Sequence, residues 1–247
     1  MKILAFSDLH HSRSKAEVLV AASAKADLVI GAGDFCNMRQ ALPGAMTLLA
    51  GIAAPFVVVP GNAESAEELR DAAHAGTTVL HGEGTQVAGL TLFGLGYGVP
   101  VTPFGAWSCD LSEPEADEML DTCDAADILI LHSPPKGVAD RTSGGQSVGS
   151  TAIRAAIERI QPALALCGHI HDSWGQEGLI GRNLTTADEL TEVEAAGYNR
   201  LFGDAGNDWL YAGFGTDFLH GGDATQLDEN NLPFHDRFFS GAGEPLA

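Results

Sequence analysis

Short apolar runs alternate with amphipathic stretches along the first 182 residues. The runs at 3–7, 28–32, 56–60, 90–94, 128–132 and 164–167 are rich in Ile, Val, Leu and Phe. Each has the length and composition of a buried strand. Between them, segments 15–24, 41–52, 65–75, 113–125 and 150–160 carry apolar residues at helical spacing. Ser65 and Glu68 have the Ser-x-x-Glu form of a capping box, which marks one helix start. This alternation predicts an α/β layered domain whose strands are covered on both sides.

Polar residues cluster where these runs end. Asp8, Asp34, Asn62, His132 and His169 each lie at the end of an apolar run or just past it. Ligands of open α/β sheets bind at that edge, where loops converge on rigid strands. The N-terminal run Met1–Phe6 breaks at Ser7-Asp8, so it reads as a strand and not as the longer apolar core of a signal peptide. No apolar stretch reaches the ~20 residues needed to cross a bilayer, and no membrane association is expected.

Charge narrows the functional classes. The chain has 33 Asp+Glu against 13 Lys+Arg, a formal charge of -20. That balance excludes strong non-specific nucleic-acid affinity, which needs clustered cations on the phosphate backbone. An anionic substrate would instead need a local positive centre, and bound metal ions can supply it. Cys36, Cys109, Cys123 and Cys167 are scattered without a C-x-x-C pair, which points to reduced thiols and a cytoplasmic protein.

Read in order, the strand ends spell Asp8-Leu9-His10, Gly33-Asp34, Gly61-Asn62-Ala63-Glu64, His132 and Gly168-His169-Ile170-His171. In order and approximate spacing this set resembles the calcineurin-like metallophosphoesterase superfamily. The resemblance implies a four-layer α/β/β/α sandwich over residues 1–182 and two divalent metal ions. Asp8, His10 and His171 would complete one metal site and Asn62, His132 and His169 the other, with Asp34 as the bridging carboxylate. The mixed oxygen and imidazole set suits Mn, Fe, Zn, Ni or Co. The implied catalytic group is Asp34, Asn62 and His132 around a hydroxide that bridges the ions and attacks phosphorus. A small phosphate ester is the expected partner, and self-association is left open.

One position departs from the family pattern. Many members carry a histidine after Gly-Asn, where it is thought to protonate the leaving group; here the residue is Ala63. General-acid help is typically worth about 10²–10⁴-fold, so poor leaving groups would suffer most. The expected substrates are therefore phosphodiesters or activated aryl esters, with Glu64 and His11 as alternative proton donors. Arg141 is a candidate phosphate contact, and Tyr97 and Trp107, with Phe104, are candidates for an apolar substrate wall in a Gly- and Pro-rich loop. The alternative for these aromatics is packing of the loop itself.

After residue 182 the composition changes. Residues 183–247 hold 12 Asp+Glu and only 2 Lys+Arg, forming a short acidic, Gly/Asp-rich C-terminal appendage. Residues 183–200 read as a join, 201–224 as repeats and 225–247 as a tail without predicted order. Residues 203–211 align at a nine-residue offset with 212–220, and both resemble the calcium-binding nonapeptides of RTX proteins. Gly206, Asp208 and Leu210 match in one copy; Gly213, Gly215, Asp217 and Leu219 match in the other. The resemblance implies calcium at Asp208 and Asp217, and it hints at secretion in place of a cytoplasmic location. Two rival functions stay open: a metal-binding module of the same fold with weak catalysis, and a calcium-dependent binding segment with the first domain as passenger.

Overall fold

The computed structural model describes residues 1–174, 176, 178 and 180, and the backbone of 200–202, 209–211, 218–220 and 237–239. In chain order the elements of the first region are β1 (Ile3–Phe6), α1 (Arg13–Ser23), β2 (Leu28–Gly31), α2 (Leu42–Leu48), β3 (Phe56–Val58), α3 (Ala66–Ala72), β4 (Thr77–Val79), β5 (Glu83–Val87), β6 (Leu90–Leu95), α4 (Glu113–Leu120), β7 (Ile128–Leu131), α5 (Thr151–Ile160) and β8 (Leu164–Leu166). They form two four-stranded sheets, β1-β2-β3-β4 and β5-β6-β7-β8. Every pairing is parallel except the β5–β6 hairpin.

The strands are apolar on both faces because each sheet is covered on both. In the first sheet Val29 and Val58 pack with Leu19 of α1, Met46 of α2 and Leu69 of α3. Their neighbours Leu28, Ile30, Val57 and Val59 face the other way and meet Leu92, Ile128 and Ile130 of the second sheet. Leu129 and Leu131 then turn outward onto Ala116 and Leu120 of α4 and Ile153 and Ile157 of α5. A period of two thus divides three cores among four layers, α/β/β/α, as expected.

Element ends differ from the sequence reading for local reasons. The Ser65 capping box is formed, with Glu68 closing it from inside α3. Helix α2 begins with Pro43 in its first turn and stops at Leu48, short of the predicted residue 52. The two strands missed in sequence, β4 and β5, lie at sheet edges, where Glu83-Gly84-Thr85-Gln86 carries no apolar alternation. The charged segment from residue 113 is more than a solvated face. Glu113 accepts hydrogen bonds from the Thr151 and Ala152 N–H groups (2.9 and 2.8 Å) and the Ser150 hydroxyl, so it closes the start of α5.

In the C-terminal part, β9 (Arg200–Phe202), β10 (Trp209–Tyr211) and β11 (Phe218–His220) recur at nine-residue intervals, and β12 (Arg237–Phe239) follows. β11 pairs in parallel with β9, and β10 with β12. Two alternate repeats, β9 and β11, therefore pair as in a coiling β-roll, and β12 puts a strand in the tail that was read without order. β9 starts inside the segment read as a join; Gly197, Asn199 and Leu201 align with Gly206, Asp208 and Leu210, a copy the sequence reading overlooked. The join over 183–199 and the candidate calcium residues Asp208 and Asp217 lie outside the described residues.

Candidate metal centre

Asp8 and His10 follow β1, Asp34 follows β2, Asn62 follows β3, His132 follows β7, and His169 and His171 follow β8. Backbone bonds lash these loops together: Asp8 N–H to Gly33 O (2.9 Å), His10 N–H to Asp34 O (2.9 Å) and Gly168 N–H to His132 O (2.9 Å). The seven predicted ligands therefore converge on one edge of the stacked sheets. Asp8, His10, Asp34 and His169 have φ of 52, 46, 56 and 71°, in the left-handed region. Such positions cost about 1–3 kcal/mol each and concentrate at functional sites, although Asp and His tolerate them better than most residues.

Glycines make room for these side chains. A Cβ on Gly33 would lie 2.6 Å from His132 Nδ1, and one on Gly61 would overlap the Asp34 carboxylate. One on Gly168 would overlap Asp8. Gly33 also has φ +98°, so both space and backbone conformation demand glycine there.

Among the described residues, two groups hold carboxylate and imidazole donors within 4.8 Å of one another: Asp8, His10 and His171, and Asp8, Asp34 and His132. His10 Nε2 and His171 Nε2 face each other at 3.1 Å. Asp34 turns one oxygen towards His10 Nε2 (3.7 Å) and the other towards His132 Nε2 (3.4 Å). Asn62 Oδ1 lies 3.2 Å from His132 Nε2. His169 stands just outside both groups, its ring centre 4.9 Å from that of His132 and its N–H donated to Asp8.

The donor chemistry fits divalent cations. His132 places Nδ1 2.8 Å from Ala32 O, and His10 places Nδ1 3.3 Å from Cys36 O. Donating that proton to a carbonyl leaves each Nε2 lone pair for a metal, the usual outer support of ligating imidazoles. Burial raises the Asp8 carboxyl, but the hydrogen bond from His171 and, while His132 is protonated and holds no metal, its charge outweigh it, so Asp8 stays ionised well below the usual range. Burial is the main cause that pushes His169 down to about 3, leaving it neutral as a ligand must be. Burial beside Asp8 holds the Cys167 thiol up at about 12, and burial with the nearby Glu64 carboxylate raises Cys36 further. These upward shifts disfavour the thiolate, the form a cysteine nucleophile needs.

Several second candidates are corrected by their surroundings. Glu64 is fully buried and accepts from the N–H groups of Gly61 (2.7 Å), Asp34 (2.8 Å) and Cys36 (3.3 Å). Burial and the adjacent Asp34 charge raise its carboxyl to about 7, but its oxygens bind the two ligand turns together and do not face a substrate. Glu64 is thus a positioning residue and not the substitute acid. His11 lies with its ring against Gly44 of α2. Cys36 does not merely fill apolar space, because its Sγ donates to Ala63 O at 3.1 Å. The Tyr97 hydroxyl accepts from Ala66 N–H (3.0 Å) and its ring packs on His81, so it braces α3. Arg141 donates to Gly145 O within its own loop, which Ser143 N–H anchors to Asp172 beside His171.

A group missed in sequence supports Asn62. Its Nδ2 donates to Ser108 Oγ (2.9 Å), and Ser108 in turn donates to Asp110 (2.8 Å). This fixes the amide so that Oδ1 faces His132. The signal available was only the Ser-Cys-Asp run at the end of an aromatic loop, 46 residues from its target.

The family model for calcineurin-like phosphoesterases matches residues 1–173. The chain belongs to that family. A second model, for the RTX calcium-binding nonapeptide repeat, matches 196–224, which includes Gly197, Asn199 and Leu201 of the copy that contains β9. Two Caenorhabditis elegans proteins are similar to part of the chain. UPF0046 protein K07C11.7 is 31% identical over 109 residues, 44% of this chain and 36% of that protein. UPF0046 protein T07D4.2 is 31% identical over 93 residues, 35% and 23% respectively. The chain thus spans about a third or less of either relative's length. Crystal structures share the fold: one matches with TM-score 0.61 at 17% identity, over 74% of this chain and 87% of its own. The protein TT1561 of Thermus thermophilus matches with TM-score 0.55 at 19% identity, over 67% and 80%. Family membership implies divalent metal ions, and together with the donor clusters it supports a metal-dependent phosphoesterase. No described helix is long and apolar enough to cross a membrane.

Proposed function

We propose that the chain is a dinuclear phosphoesterase acting on phosphodiesters or activated aryl phosphate esters. The observation that carries this reading is Asp34, whose two oxygens face two different imidazoles across a buried edge. Asp8, His10 and His171 would hold one cation, and Asn62, His132 and His169 the other, with Asp34 shared. Bound divalent cations would supply a water of lowered pKa and positive charge for the phosphoryl oxygens. That local charge lets a chain of net charge -20 accept an anionic substrate.

The protein's own contribution is orientation. Ala32 and Cys36 carbonyls set the tautomers of His132 and His10, Glu64 holds the Asp34 and Gly61 turns, and Ser108 aims Asn62. Ala63 is buried and carries no proton, so the leaving oxygen departs without help from that position. This favours aryl leaving groups and diesters over simple alkyl monoesters. The repeats at 200–220 are read as a calcium-binding appendage to this enzyme.

The test compares chelated and Mn-reconstituted protein on bis(p-nitrophenyl) phosphate and p-nitrophenyl phosphate. Metal-restored turnover that favours the diester is expected, and Ala63→His should raise monoester turnover. Absence of turnover with two equivalents of metal bound would favour the rival reading, a metal-binding module that Ala63 has disarmed.

A further inference from the structure

The loop between β6 and α4 is an Ω-shaped excursion whose neck is closed by backbone bonds. Gly98 N–H donates to Cys109 O (3.0 Å) and Leu111 N–H to Gly98 O (2.8 Å). The loop is fastened to the metal centre at Asn62 twice, through Cys109 N–H to Asn62 O (2.9 Å) and through the Ser108 hydroxyl. Inside it, Thr102 and Ser108 share the Asp110 carboxylate, so the loop is internally braced.

Its tip carries an aromatic pair that this bracing does not require. Phe104 and Trp107 stack nearly parallel, with ring centres 5.7 Å apart and planes 8° apart. Trp107 packs on the first core, which leaves Phe104 as the outer ring, 51% exposed. The edge of the stack meets His169: the Phe104 and His169 ring centres are 6.4 Å apart in a T-shaped contact. A large, half-exposed ring held in place against a proposed metal ligand presents a π-face beside the position where a phosphoryl group would sit.

Five large apolar side chains are exposed among the described residues, and four of them lie on this loop or on segments that carry proposed ligands. Val101 and Phe104 are in the loop, Met38 follows Asp34 by four residues, and Trp174 follows His171 by three. A half-exposed aromatic face beside the proposed ligands suits a flat, uncharged ester group.

We propose that the Phe104–Trp107 stack is a binding subsite for the planar aromatic group of the ester, with Phe104 as the residue that determines specificity. This rests on the phosphoesterase reading above and names its substrate class. A nucleobase and a simple aryl ring share the chemistry, since both offer a π-face for stacking, worth about 5–150-fold in affinity per ring at 1–3 kcal/mol. Ser108 ties the loop that carries the stack to the proposed ligand Asn62.

The test is calorimetric binding to the full-length, Mn-loaded protein, using two pairs of phosphate monoesters: AMP against ribose 5-phosphate, and phenyl phosphate against methyl phosphate. The aromatic member of at least one pair should bind about tenfold tighter. That ratio should fall to near one in Phe104→Ala and return in Phe104→Tyr, which keeps the ring. Preference within the AMP pair alone identifies a nucleobase, and preference within both identifies any aryl group. Equal binding within both pairs overturns the subsite but leaves the phosphoesterase reading intact, as does a ratio unmoved by Phe104→Ala. Failure of all four to bind overturns the subsite, while metal-restored turnover of bis(p-nitrophenyl) phosphate judges the phosphoesterase reading separately.

Discussion

Asp34, Asn62 and His132 are at most 5% exposed, whereas the side chains of His10 and His171 are 28% and 62% exposed. The inner group is held by Glu64, Ser108 and the Ala32 carbonyl, each reaching it across at least 30 residues of chain. The outer group is held by loop backbone, a single carbonyl contact to His10 and the shared carboxylate of Asp8. Enclosure makes the inner group pre-organised, and its members are structural as well as chemical. The outer group can adjust to an ion at little cost to the fold.

Asp34 belongs to both sides of this contrast, so its loss should have the largest effect. Asp34→Asn should lower diester turnover on the order of a thousandfold, comparable to deleting a major electrostatic stabiliser, with metal content by mass spectrometry falling in parallel. Retention of turnover would mean that the two imidazole sets do not share a bridge.

Next in size is the stability difference between the two groups. His132→Ala removes a fully buried ring and orphans the Ala32 carbonyl, so chelated protein should lose about 3 kcal/mol in urea unfolding. His171→Ala, at an exposed position, should change it by less than about 0.5 kcal/mol while still releasing metal. Equal losses would break the comparison between enclosed and open ligands.

Ser108→Ala sharpens the contrast from the supporting layer. Without the hydroxyl the Asn62 amide is free to turn, and metal affinity should weaken about 10–100-fold, read by competition with a fluorescent chelator. No change would show that enclosure by packing, and not the hydrogen bond, orients Asn62.

The smallest effect lies outside the centre. Partial burial works against the Glu113 carboxylate, but hydrogen bonds from Ala152 and Thr151 N–H win and hold its pKa below the ordinary 4.5. A carboxylate depressed in the folded state stabilises above its unfolded pKa, and the benefit fades as pH falls through the folded value. Glu113→Gln should therefore cost about 1 kcal/mol at pH 7, and the difference from the unaltered protein should shrink in urea titrations as pH drops below about 4.

Asp8, Asp34, Asn62, His132 and His169 stood out in sequence as polar residues at the ends of apolar runs, a local pattern, and His10 and His171 joined them through the family resemblance. Glu64 was visible too, as one possible substitute acid whose direction the sequence left undecided, and burial between the Asp34 and Gly61 turns makes it a brace. Ser108 drew no attention because nothing in its own surroundings distinguishes it from any loop serine. Tyr97 and Trp107 looked alike in a Gly- and Pro-rich loop, yet one hydroxyl braces α3 and the other ring stacks beneath Phe104. The third repeat copy was hidden by Asn199 in the aspartate position, and parallel pairing of β9 with β11 brought it out.

From sequence alone came the alternation of a layered α/β domain, the polar strand ends and the acidic character that calls for a local positive centre. These follow from periodicity, composition and motif spacing, which are properties of short stretches, whereas the four-layer order came with the family resemblance. Tertiary structure decided which carboxylate faces the imidazoles and which is a brace, which aromatic meets the centre, and which proposed ligands are enclosed. Those distinctions depend on desolvation and on hydrogen bonds between segments 29 to 161 residues apart, and no local pattern encodes how deeply two such segments bury each other.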